Sequence, residues 1–287
     1  MIADSHCHAW RVWPYQPPVP DPTGHGSVDL LLYEMDRHGV ERAAVVCARI
    51  GDNDDNNEYV AKAAARHPDR LAVLADVDCF WRPEYHTPGA AARLRATAER
   101  LEIAGFTHYV HDDNDGWFRT DEALELFATA AELNLVASLA VSPRWHADLR
   151  DVARRFPTLP ILVHHLGLAR PGSPPFEDDL AEVLASAAVP TIGLKVSGFH
   201  YLATRPWDFP FAEGREVFRR LYEAYGAHRL CWGSDFPAAR PHVTYTQSLE
   251  VVRAYCDFLP AEDLDLILGG TLTRILDTRR PAPPADG

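Results

Sequence analysis

Lysine is almost missing from this chain. It occurs only at Lys62 and Lys195, and arginine supplies the other cations. With so much alanine, arginine and proline around it, this scarcity reads first as compositional bias of the source genome. The net charge is -13, so the clustered basic residues that hold phosphate backbones are absent and nucleic acid is not expected as a partner. An anionic small substrate stays open, because a few local charges can hold one. No apolar run approaches the roughly 18 residues that a membrane span requires. Residues 1–20 lack a basic start followed by an apolar stretch, so no signal peptide and no membrane association are expected. There is no Cys-x-x-Cys. The cysteines Cys7, Cys47, Cys79, Cys231 and Cys256 are odd in number and scattered, which implies no disulfide framework and fits a reducing cytoplasm. The Gly-x-Gly-x-x-Gly turn, the Gly-x-x-x-x-Gly-Lys loop and the Gly-x-Ser-x-Gly elbow are also missing. Their absence argues against a dinucleotide fold, a phosphate loop and a serine-nucleophile hydrolase.

What is present is enough apolar material for a large core: 47% of 287 residues are hydrophobic. Short apolar runs alternate with helical segments. Strands are expected near residues 2, 43, 71, 105, 135, 160, 191 and 230. The run Ala43-Ala44-Val45-Val46-Cys47-Ala48 is typical of a strand buried on both faces. Helices are expected over 28–38, with Gly39 as a stop, and from the polar loop 51–57 to about Arg66. Further helices are expected near 89–103, 121–133, 147–156, 177–187, 213–225, 246–257 and 261–276. Thr120 is a good N-cap for the fourth of these. The proline-rich stretch from Trp13 to Pro22 cannot be helical and reads as a loop over one end of the fold. Eight strand–helix units in this length predict an α/β fold, a (β/α)8 TIM barrel. It would be a single domain over 1–277, with a disordered tail over 278–287.

The candidate chemistry begins at His6-Cys7-His8. Alternate residues of a strand share a face, so the two imidazoles can converge on one metal ion. Cys7 between them is expected to point into the barrel wall. Barrel enzymes carry their chemistry at the C-terminal strand ends. A later strand ends in His164-His165 and the last in Asp235. Imidazoles plus one carboxylate with open positions make a catalytic zinc-type site. A strand-end His or Asp taken singly is more often a cap or a loop anchor; their joint occurrence carries the argument.

Four segments resemble the amidohydrolase superfamily, in its amidohydrolase-related, lactonase-like branch. Ile2-Ala3-Asp4-Ser5-His6-Cys7-His8 is similar to I-D-x-H-x-H. Ile161-Leu162-Val163-His164-His165-Leu166-Gly167 is similar to V-x-D-H-x-G, with His164 where Asp is usual. Leu194-Lys195-Val196-Ser197-Gly198 is similar to K-L-S-G. Arg229-Leu230-Cys231-Trp232-Gly233-Ser234-Asp235-Phe236-Pro237 is similar to R-x-x-W-G-S-D-x-P. The resemblance covers about residues 2–277. It implies metal ligands at His6, His8, His165 and Asp235, and catalytic roles for Asp235, as general base and acid, and for His165. It also implies a single divalent ion. Binuclear relatives bridge two ions with a modified lysine upstream of the middle His, where neither Lys62 nor Lys195 fits. Zinc is the expected ion, with manganese and a metal-free centre as alternatives. The resemblance puts the middle His on a fifth barrel strand, whereas here it ends the sixth, so one strand is expected to lie outside the barrel or to be misread.

The resemblance implies hydrolysis of a small cyclic ester, a lactone, or of an amide. Metal-activated water would attack the carbonyl while Asp235 takes its proton and later delivers it to the leaving atom. The alternatives are a metal-dependent decarboxylase of an aromatic or unsaturated acid and a non-hydrolytic barrel that binds a small metabolite. The arginine usual in lactonases after the strand at Gly105–His111 is missing, which argues against a carboxylate-rich lactone. His200 lies in a loop, where decarboxylases have a strand-end His. Gly270-Thr271-Leu272 replaces the familiar G-N-A. Trp10, Tyr109, His111, Arg144, Trp145, His146, His200 and Tyr201 are candidate substrate contacts. Lys195 is either another such contact or part of an interior salt bridge. So many aromatic rings predict a ring-bearing small-molecule substrate. The sequence leaves oligomerisation open.

Overall fold

The computed structural model describes residues 1–279. Strands and helices alternate along the chain: β1 (Ile2–Cys7), α1 (Val28–His38), β2 (Val40–Val46), α2 (Asn56–Arg66), β3 (Leu71–Asp76), α3 (Ala90–Arg100), β4 (Gly105–Tyr109), α4 (Asp121–Glu132), β5 (Val136–Ala140), α5 (His146–Arg155), β6 (Ile161–Val163), α6 (Phe176–Ala185), β7 (Ile192–Val196), α7 (Ala212–Tyr225), β8 (Leu230–Trp232) and α8 (Tyr245–Arg253). All eight strands pair in sequence order, each parallel to the next. The fold is a (β/α)8 barrel. The ring is drawn together where the chain leaves β8: Asp235 N–H donates to His6 O at 2.7 Å and His8 N–H to Phe236 O at 2.6 Å.

The local causes are those read from the sequence. Ser27 caps α1 by accepting from Leu30 N–H, and Gly39 ends it in the left-handed region at φ 66°. Thr120 caps α4 through Ala123 N–H. Thr244 and Gln247 make a reciprocal capping box on α8. The apolar run of β2 divides as a two-faced strand should. Ala43 and Val45 join the core between barrel and helices. Ala44 and Val46 join a lumen cluster with Ala3, Leu74, Val136, Leu162 and Cys231.

Three expectations need adjustment. Among the described residues no strand lies outside the barrel, because Ile161–Val163 is the sixth of eight consecutively paired strands. The closing helix is not continuous: α9 (Ala261–Asp265) passes through a π turn at Leu266–Gly270 into α10 (Thr271–Asp277). The start of β1 crowds this turn, since a Cβ on Gly269 would lie 2.5 Å from Met1 O. From there Leu272 and Leu276 of α10 reach the lumen cluster. Of the expected tail, residues 280–287 lie outside the described residues, while Thr278 accepts from Asn134 at 3.0 Å. All five cysteines are free and buried. Among the described residues, no helix is long and apolar enough to cross a membrane.

Candidate metal and catalytic site

The site grows from β1. His6 is fully buried, and its ring enters the lumen. His8, just past the strand end, holds its Nδ1 at 2.7 Å from Val46 O. A carbonyl only accepts, so Nδ1 carries the proton and Nε2 is left with a free lone pair. Trp10 fixes this ring: it stacks on His8 at 4.9 Å and 13°, and its indole donates to Ala48 O at 3.0 Å. The polar loop before α2 holds the same segment. Asn56 donates to Ala9 O at 2.8 Å, and Asn53 pairs with both Val12 N–H and Val12 O. As expected, Cys7 turns away, into the core between strands and helices.

Asp235 faces both imidazoles. Its Oδ1 lies 3.5 Å from His6 Nε2 and 3.8 Å from His8 Nε2. Its Oδ2 accepts from Tyr201 O–H at 2.9 Å. Burial pushes the carboxyl up to about 7, against the Tyr201 bond that lowers it. Burial pushes His8 down to about 4 and holds His6, His164 and His165 well below the ordinary histidine value. These imidazoles are therefore neutral and fit to be ligands.

His164 and His165 close the set from β6, with ring centroids 4.4 and 4.5 Å from that of His6. His165 Nδ1 sits 3.0 Å from Ser197 Oγ. Gly198 makes room for it. Its φ is 68°, and a Cβ there would lie 2.7 Å from His165 Nδ1 and 2.5 Å from Tyr201. Two groups of potential ligand atoms result, His6–His8–Asp235 and His6–His164–His165, each within 4.8 Å.

Lys195, on β7, reaches the same centre. Its Nζ lies 2.7 Å from Ser138 Oγ and 3.3 Å from His6 Nδ1. Its partners are a hydroxyl and an imidazole, so the expected alternative of an interior salt bridge does not hold. Burial pushes the amine down to about 7. Lys195 donates to Ser138, whose hydroxyl then points its proton at His164 Nε2, 2.7 Å away.

This arrangement settles the family when set beside the sequence comparison. The amidohydrolase family profile matches residues 3–278. The chain belongs to the amidohydrolase family. It is accordingly an enzyme of the hydrolase type. Among curated proteins, this amidohydrolase is 29% identical over 250 residues to an L-fucono-1,5-lactonase of Burkholderia ambifaria, covering 83% of this chain and 80% of that one. Among solved structures it resembles a protein of Acinetobacter baumannii assigned as a 2-pyrone-4,6-dicarboxylic acid hydrolase, with citric acid bound. There the TM-score is 0.77 at 21% identity, over 96% of this chain and 99% of that one. A zinc-bound amidohydrolase of Burkholderia multivorans gives a TM-score of 0.74 at 21% identity, over 96% and 99%.

The expected substrate contacts of this amidohydrolase divide. Tyr201 and Lys195 touch the central set directly. Tyr109 borders it, with its ring 5.0 Å from His164. Trp10 is fully buried behind His8 and acts on that ring. His200 stacks on His242 at 4.9 Å and lies tilted against Tyr201 at 4.0 Å. His111 lies out at the rim against Phe80 and Tyr85. Arg144 is exposed and turns to Asp113. Trp145 is buried, its indole donating to His111 O at 2.8 Å. His146 is displaced furthest from its expected role: it is fully buried, with Nδ1 2.8 Å from Ser186 Oγ.

The structure also adds residues. Ser138 and Ser197 support the imidazoles of His164 and His165 from behind, and Asp4 accepts from the backbone N–H of His6 at 3.0 Å. Tyr15, from the proline-rich loop, packs edge-on against Trp10 at 5.5 Å, and its phenol feels the charge of Asp235. The available signals were a hydroxyl in the apolar run of β5 for Ser138 and the K-V-S-G segment for Ser197. Nothing local marks Tyr15.

Proposed function

We propose that this chain hydrolyses a small lactone at the His6–His8–Asp235 centre. The carrying observation is the convergence of two neutral imidazole Nε2 atoms on one buried carboxylate oxygen. These residues fit a divalent ion, zinc first and manganese second. His6 Nε2 is buried without a hydrogen-bond partner, and the His8 proton is committed to Val46 O. His6, His8 and Asp235 would hold the ion, with His165 as a further ligand. A bound ion would supply a Lewis acid and bring the pKa of an attacking water toward about 7.

The chain's own groups manage the proton. Asp235 takes it from the attacking water and returns it to the leaving oxygen as the ring opens. Tyr201 O–H fixes the Asp235 carboxylate by occupying Oδ2, which directs Oδ1 to the reacting centre. Tyr15, Tyr109 and Tyr201 gather around Asp235 and offer ring faces and hydroxyl groups to a substrate. The aromatic rim led to an expected ring-bearing metabolite. The 29% identical relative, a lactonase whose name specifies L-fucono-1,5-lactone, favours a hydroxylated sugar lactone as the first substrate to try.

One observation favours a second reading, a centre that works without metal. An ammonium on Lys195 donating to His6 Nδ1 would place the His6 proton on Nε2, toward Asp235, where it competes with a metal ion. A neutral Lys195 accepting from Nδ1 leaves Nε2 free for the ion.

A panel of sugar lactones, pyrone dicarboxylates and aromatic acids, followed by acid release and by carbon dioxide release, tests the proposal. Opening of a lactone supports it. Carbon dioxide from an aromatic acid without lactone turnover contradicts it in favour of a decarboxylase. Full lactone turnover by protein stripped of metal with a chelator selects the metal-free reading.

A further inference from the structure

A second histidine cluster lies outside this centre. His108 is on β4, and its ring packs on Trp117 and Phe118. His86 is on the connection between β3 and α3, sandwiched between Tyr85 at 3.7 Å and Trp117 at 4.0 Å. Asp78 begins the same connection.

The hydrogen bonds fix both tautomers. His86 Nδ1 lies 2.8 Å from the Asp115 carboxylate. His108 Nδ1 lies 3.2 Å from Val77 O. Both partners only accept, so each Nδ1 carries the proton of its neutral ring and each Nε2 presents a lone pair. Those two Nε2 atoms face each other at 3.4 Å. Two lone pairs at that distance repel unless a positive species lies between them. Asp78 sets a carboxylate oxygen within 4.8 Å of a ring nitrogen of each histidine. Its other commitments are the Arg93 guanidinium and His86 N–H.

We propose that His86, His108 and Asp78 form a second divalent-metal site, of zinc type. With Zn–N bonds of about 2.0–2.1 Å, the edge of a tetrahedral site spans about 3.4 Å, which is the separation these nitrogens show. Imidazoles with their far nitrogens tied to a carboxylate and a backbone carbonyl are the arrangement that orients histidine ligands on metals.

The ion would fasten the β3–α3 connection to β4. That connection carries Trp81, whose indole donates to Asp76 at 2.9 Å and whose ring lies 4.7 Å from Tyr109. The second ion would thus hold one aromatic wall of the barrel mouth rather than enter the reaction.

The test is anomalous scattering at the zinc edge from crystals of the full chain soaked in zinc, with zinc titration in solution. Wild-type protein is expected to show a peak between His86 Nε2 and His108 Nε2. His86→Gln and His108→Gln are each expected to lose that peak and one equivalent of bound zinc. Any peak on His6 and His8 should persist, which separates this site from the first. A zinc-saturated wild-type crystal with no peak at the cluster overturns the proposal, as does a His86→Gln variant that binds as much zinc as wild type.

Discussion

At the scale of single residues, burial decides what each histidine does. His146 follows β5, where barrel enzymes place ligands, yet its ring turns to Ser186. Burial pushes it from an ordinary 6.5 down to about 3. Between those values the unfolded chain binds a proton that the folded chain refuses. The contribution of His146 is therefore complete above about 6.5 and is lost progressively as the pH falls toward 3. His146→Gln should flatten the acid side of the stability curve by up to about 1.4 kcal/mol per pH unit and leave KM unchanged. Denaturant unfolding at about pH 7 and about pH 5 checks the slope; parallel wild-type and variant curves would count against it. His6 and His8 are buried too, but their Nε2 atoms share a carboxylate oxygen. That is the difference between a core histidine and a candidate ligand, and it cannot be read along the chain. The same holds for Ser138, Ser197 and Tyr15, whose partners come from other strands or loops.

At the scale of elements, the close contact of β1 with the residues after β8 positions the candidate ligands. Gly233 permits it: a Cβ there would sit 2.7 Å from His6 Cβ and 2.9 Å from His6 N. Gly233→Ala must push β1 aside. It should cost about 1–3 kcal/mol of stability and weaken zinc binding by roughly 10–100-fold, read by calorimetry and metal titration. A variant with wild-type values for both would show that the approach is not needed. The strands themselves were legible because two-faced apolar runs recur at regular spacing, separated by helical segments with recognisable caps. The π turn before α10 was not, because the crowding at Gly269 comes from the opposite end of the chain. The sixth-strand position of His165 was also legible from the residues. The resemblance alone would have moved it.

At the scale of the whole molecule, closure of the barrel and assembly of the site are one event. Asp4 joins them. Its Oδ1 accepts from His6 N–H at 3.0 Å and Ser234 N–H at 2.9 Å, and its Oδ2 from Tyr245 O–H at 3.0 Å. β1, the turn that carries Asp235, and α8 thereby meet on one buried carboxylate. Asp4→Ala strands three buried donors and should cost about 3 kcal/mol or more. Equilibrium unfolding measures this; a loss under about 1 kcal/mol would show that closure does not depend on Asp4. The strand ends read from the sequence placed His6, His8, His165 and Asp235 around one lumen. The spacing of side-chain atoms across that lumen required the fold.

The central claim is that Asp235 moves the proton at a centre built on His6 and His8. The most direct measurement is lactone turnover and zinc content of Asp235→Asn on one preparation beside wild type. Turnover should fall by about 1,000-fold, with zinc partly retained on the imidazoles and the fold intact by circular dichroism. Unchanged turnover in the folded variant would contradict the account.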